Sequence, residues 1–189
     1  MGHRAENSCK DSFLYFSPSE GPNSYFHNSL LYICEHNQEG SMGVIINRST
    51  PISTEELFKS LNLKLEVKLD QKNLLLGGPV NPDSVLVLHD SKVNFKSSIN
   101  VTSKICLTTS LDILKEISKG NGPKNYLIFL GYSGWGGEQL DEEISENAWI
   151  QLPSNFNVIF KTPHHKQVEK VSEIMGFDLT MVSPDYGNA

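Results

Sequence analysis

A chain of 189 residues, 38% apolar and 20% charged, holds enough material for one domain with a substantial core, which excludes a mainly disordered protein. Its formal charge of −6 withholds the basic face that phosphate backbones require, so direct nucleic-acid binding is disfavoured. No apolar run reaches membrane-spanning length, and Phe13 to Phe16 is too short for a signal-peptide core, so the expectation is a cytoplasmic protein without a membrane partner.

In chain order, residues 1–12 are polar and expected to fray, which places the domain at 13–189. Phe13 to Phe16 opens a strand, and Pro18, Gly21 and Pro22 mark a loop. Phe26 to Cys34 and Gly43 to Asn47 read as two strands around the polar, turn-like 35–40. Ser53 and Glu56 form a capping box for a helix carrying Leu57 and Leu61. Leu63, Leu65, Val67 and Leu69 alternate with charged residues, which predicts a half-exposed strand. Leu74 to Leu76 runs into a sharp turn at Gly77-Gly78-Pro79-Val80. Val85 to Leu88 and Lys104 to Leu107 read as buried strands. Thr109 and Asp112 start a helix that Gly120 ends. Tyr126 to Leu130 is a buried strand followed by a glycine-rich turn from Gly131 to Gly137, then a helix with Leu140 and Ile144 inward. Trp149 to Leu152 and Val158 to Phe160 are predicted strands. Thr162 and Pro163 begin a last helix with Val168, Val171, Ile174 and Met175 inward and Gly176 at its end. Strands and helices do not alternate strictly, so a mixed α+β domain is favoured over a doubly wound one.

The glycine-rich segment admits three chemical readings. As a phosphate cradle it lacks the lysine and the glycine spacing, and Glu138, Asp141, Glu142 and Glu143 at the following helix start repel an anion. As a nucleophile elbow at Ser133 it has Trp135 where a small residue belongs. As a carboxylate metal site it has Glu138 and Glu142 one turn apart but no second acidic cluster. The odd cysteine count and the lack of any C-x-x-C pair disfavour disulfides or a zinc motif, and Cys34 and Cys106 fall in apolar runs as buried thiols. None of the six histidines has the spacing of a zinc helix. A Cys34–His36 nucleophilic pair requires the strand to continue through the loop, so a loop-bonding His36 is favoured. Trp135 and Trp149 are expected in the core.

The stretch from Gly131-Tyr132 through Gly134-Trp135-Gly136, Gln139-Leu140, Glu143-Ile144 and Asn147-Ala148-Trp149 resembles the signature of the AlgH family, also called YqgE. Glu35-His36-Asn37, Met42-Gly43, Ile46-Asn47-Arg48, Gly77-Gly78-Pro79-Val80, Leu88-His89, Leu107-Thr108-Thr109-Ser110 and Gly122-Pro123 match in the same order. The family usually has aspartate at Asn23, arginine at Asn28, Arg-Gly at Ser84-Val85, alanine at Ser133 and glutamate at Asp141; these departures weaken any site built from the lost charges. The resemblance implies a compact α+β fold, a partly barrel-like mixed sheet surrounded by helices. It also implies a role as a transcriptional regulator, attached to the family through one member's link to alginate production, while most members are uncharacterised. It carries no established catalytic residues.

The expectation is therefore a non-enzymatic regulatory or protein-interaction module, with no catalytic residue, metal or cofactor assigned and an unidentified protein or small molecule as partner. The alternative is a small-ligand protein or enzyme with an unfamiliar site near the glycine-rich loops. The candidate ligand or partner residues are Glu35, His36, Asn37, Asn47, His89, Trp135, Gln139, Glu142 and Asn147. A histidine and an acid aimed together at an activated thiol, hydroxyl or bound ion in a shielded cavity would overturn the non-enzymatic reading.

Overall fold

Alternation along the strands sorts side chains onto two buried faces. In a computed structural model of the protein, which describes residues 8–90 and 95–183, β2 (Leu30–Asn37) turns Leu30, Tyr32 and Cys34 to one apolar cluster and Leu31 and Ile33 to another. Both faces of that strand are covered, which is why its first five residues are apolar without interruption. Its neighbours are β1 (Ser12–Phe16) and β3 (Gly40–Ile45), both antiparallel.

Ten strands and five α-helices are formed among the described residues. The long strand β9 (Tyr126–Gly136) joins the pieces. Its Ser133–Gly136 end pairs with β3, its Phe129 and Leu130 run parallel to Leu75 and Leu76 of β5 (Asn73–Leu76), and Tyr126 to Tyr132 pairs with β6 (Val80–Asp90). The hydrogen-bonded order is β10-β1-β2-β3-β9-β6-β8-β7, where β7 is Ser98–Asn100, β8 is Ile105–Thr108 and β10 is Trp149–Pro153; β4 (Ser49–Ser53) pairs with β5. The result is a mixed α+β domain whose sheet curls into half a barrel. Where β5 turns into β6 the chain crosses β9 at close range. A Cβ on Gly77 would lie 2.1 Å from the Gly131 carbonyl oxygen, and Gly131 itself adopts φ +66°.

The largest apolar cluster lies under α4 (Phe156–Lys161) and α5 (Gln167–Met175), through Val158, Ile159 and Val171. A second, with Trp135, Trp149 and Leu140, lies under α3 (Gln139–Ser145). The third lies under α1 (Thr54–Ser60) and α2 (Leu111–Lys119).

Local signals place several elements. The Ser53–Glu56 capping box is formed in both directions, and α2 ends on a left-handed Gly120. Five expectations are corrected. Leu63 to Leu69 forms no strand; Leu63, Leu65 and Leu69 pack on the α1–α2 cluster, while the backbone meets helix ends, as in the bond from Glu66 N–H to the Ser118 carbonyl. Val158 to Phe160 is helical, because the Asn155 side chain accepts from Val158 N–H and caps α4. The last helix begins at Gln167, after a 3-10 turn at His164–Lys166, and its Ile174 is exposed. The glycine-rich segment is strand as far as Gly136, since β3 supplies a partner backbone. Finally, 35–40 is not a loop: β2 continues through Asn37 and β3 starts at Gly40, leaving Gln38 and Glu39 as the turn. Strands β4 and β7 had no sequence signal strong enough to announce them.

Candidate functional site

The signature residues around α3 are bound to one another. Trp135, near the end of β9, and Trp149, at the start of β10, both donate their indole N–H to Glu143 Oε2, at 2.9 and 2.8 Å. Gln139, one turn earlier, donates to Glu143 Oε1 at 3.0 Å, and its own carbonyl oxygen accepts from Gly136 N–H at 3.1 Å. The two indoles meet edge to face, with Phe26 and Phe16 packed about them. One carboxylate thus holds two strands and a helix together. Glu143 was absent from the candidate residues; its i, i+4 relation to Gln139 was the available signal. Glu142 is exposed on the same helix. Asn147 takes a left-handed turn just after it, its N–H bonded to the Ile144 carbonyl.

His36 sits close by, with a different set of partners. Its Nδ1 is 2.7 Å from Ser41 Oγ across the β2–β3 pair, and its Nε2 is 3.5 Å from Asp141 Oδ1 on α3. Cys9, buried in the segment before β1, completes a trio in which one ligand atom from each residue lies within 4.8 Å of the others. A histidine and an acid do therefore converge on a thiol, but not an activated one. Burial, and then the Asp141 carboxylate, push the Cys9 thiol up to about 11, so it stays protonated at neutral pH. Cys34 is not the partner of His36; its thiol donates to the Tyr32 carbonyl oxygen, and burial drives it above the ordinary thiol range. No sequence pattern links Cys9 and Asp141 to His36, because three distant chain segments supply the trio. Of the neighbouring candidates, Asn37 accepts from Glu39 N–H to shape the turn and donates to Glu35.

The remaining candidates lie elsewhere. His89 is fully buried. Its Nδ1–H donates to the Asp90 carbonyl oxygen at 2.7 Å, and Nε2 is 2.7 Å from Thr108 Oγ1, which also contacts Ser98. Burial lowers its pKa, against opposing contributions from Asp90. Asn47 stitches β2 to the preceding loop, accepting from Leu30 N–H and donating to the Asn28 carbonyl, both at 2.8 Å. Ser133 is buried and donates to the Gly77 carbonyl, which removes it as a nucleophile.

None of the nine candidates lines an open groove of about 870 Å³ between the chain at 70–73, the start of β9 and the α4–α5 connection. Its apolar floor includes Ile46, Leu75, Leu127 and Ile159. Its rim carries Lys72, Lys124, Lys161, His164 and His165 against a single acid, Asp70. Gln167, buried in its wall, donates to the Val158 and Ile159 carbonyls, while its Oε1 has no hydrogen-bond partner within the protein. Burial, and then the neighbouring His165, lower the pKa of His164.

Residues 13–180 match the family model described as AlgH-like, DUF179. A UPF0301 protein of Chromobacterium violaceum is 39% identical over 183 residues, spanning 96% of this chain and 98% of that protein. A UPF0301 protein of Thioalkalivibrio sulfidiphilus is 36% identical over 186 residues, spanning 98% and 99%. The solution structure of the AlgH protein from Pseudomonas aeruginosa matches with a TM-score of 0.80 at 30% identity, over the full length of both chains. A crystal structure of DIP2367 from Corynebacterium diphtheriae, at TM-score 0.70 and 20% identity over 95% of this chain and 93% of its own, shares the fold.

Proposed function

This chain belongs to the AlgH-like family, and on that footing we propose that it is a non-catalytic interaction module that seats an acidic segment of a partner protein in the cleft beside α4. The observation that carries the reading is charge: a protein of net charge −6 gathers three lysines, Lys72, Lys124 and Lys161, against one acid, Asp70, around one groove with an apolar floor. The floor supplies desolvation and the rim supplies orientation. The signature side chains of the α3 flank support the same reading, since their polar atoms are spent on internal bonds. A regulatory role in the cytoplasm would run through such a partner, and among the described residues no helix is long and apolar enough to cross a membrane.

The test is fluorescence anisotropy with a labelled glutamate-rich decapeptide and a lysine-rich control, at low and high salt. The reading expects binding of the acidic peptide alone, weakening with salt and lost in the Lys72→Glu, Lys161→Glu double variant. Equal affinity for both peptides, or an unchanged double variant, would sink it.

A further inference from the structure

Cys9, His36 and Asp141 come from three segments that share no local sequence motif: the stretch before β1, the end of β2 and the first turn of α3. Thiolate, imidazole and carboxylate together are a donor set suited to zinc. Zinc bonds of about 2.0–2.3 Å in tetrahedral geometry set donor atoms about 3.3–3.6 Å apart. His36 Nε2 and Asp141 Oδ1 already stand at 3.5 Å. The other pairs of the trio stand within 4.8 Å, and the side chain of Asp141, 56% exposed, has room to adjust its carboxylate, whereas that of His36 is 10% exposed. The imidazole is also oriented from behind. When Nδ1–H donates to Ser41 Oγ, a hydroxyl on a largely buried residue, Nε2 presents its lone pair towards the carboxylate. An outer hydrogen bond of this kind is the usual companion of a ligating histidine.

We infer that Cys9, His36 and Asp141 form a binding site for one zinc ion, with Ser41 as its outer-shell support and the fourth position open to solvent. The ion ties the N-terminal segment to the β2–β3 hairpin and to α3. Binding releases the Cys9 thiol proton, because zinc takes the thiolate.

Cobalt(II) titration of the full-length, reduced protein tests this by absorption. The expected result is one equivalent bound, with tetrahedral visible bands and a thiolate-to-cobalt charge-transfer band, all displaced by zinc. Cys9→Ser abolishes the charge-transfer band. Asp141→Asn, at an exposed position that leaves the core untouched, weakens zinc binding more than about tenfold, and Ser41→Ala weakens it by about 10- to 100-fold. The His164→Gln, His165→Gln double variant removes a competing imidazole pair and leaves the signal unchanged. A native protein without the charge-transfer band, or native affinity retained in both Asp141→Asn and Ser41→Ala, overturns the site.

Discussion

Around α3 three donors converge on the Glu143 carboxylate, whereas beside α4 the buried Gln167 keeps an oxygen unpaired. The two regions are both built where a helix meets the sheet, and both are rich in polar residues. They differ in where those polar groups find partners. The α3 flank closes its hydrogen bonds internally and so acts as a structural clamp. The α4 cleft leaves cationic groups around its edge and so has something to offer a second molecule. Polarity near glycine-rich turns does not by itself mark a binding site; unspent polarity does.

The largest expected effect comes from opening the clamp. Glu143→Ala leaves two indole N–H groups and one amide without their acceptor, and it should cost about 3 kcal/mol or more, read from the urea midpoint together with tryptophan fluorescence. Glu143→Gln keeps one acceptor oxygen and should cost clearly less. Next is Gly131→Ala, which combines φ +66° with a Cβ placed 2.6 Å from the Gly78 carbonyl oxygen, for about 2 kcal/mol in the same assay. A clamp variant at native stability would erase the contrast between the regions.

pH probes the comparison more gently. His89 and His164 both have folded pKa values below the ordinary 6.5, chiefly through burial. Below 6.5 the unfolded chain therefore binds more protons than the native one, so both contribute stability that is present above 6.5 and lost as pH falls through the depressed values. The slope of unfolding free energy is at most about 1.4 kcal/mol per pH unit for each group. Fully buried His89 should dominate, so His89→Gln should flatten the profile more than His164→Gln. The smallest stability effect belongs to the cleft rim. The Lys72→Glu, Lys161→Glu variant should unfold within about 0.5 kcal/mol of the native protein. A larger loss would mean that those lysines serve the fold.

Much of the fold was legible because the relevant interactions are local. Ser53 and Glu56 need only each other, and the unbroken apolar run from Leu30 to Cys34 needs only two covered faces. The failures occur where a distant backbone decides. Leu63 to Leu69 has a strand's pattern but no strand beside it, and Gly131 to Gly136 has a turn's composition but β3 alongside. The candidate site divides in the same way. His36 stood out in the sequence, but its neighbours Cys9 and Asp141 arrive through tertiary folding. The basic rim is drawn from three separate stretches, around Lys72, Lys124 and Lys161, and no single window displays it.

The central position of β9 also sets an order of assembly. Every strand it pairs with, β3, β5 and β6, precedes it in the chain. Before residues 126–136 arrive, β1-β2-β3, β4-β5 and β6-β8-β7 have no strand pairing with one another, and each leaves a backbone edge exposed. The growing polypeptide thus carries three unfinished ribbons until one late segment welds them in a single step. Long-range closure of this sort makes folding slow, with the greatest risk of aberrant association just before that weld forms.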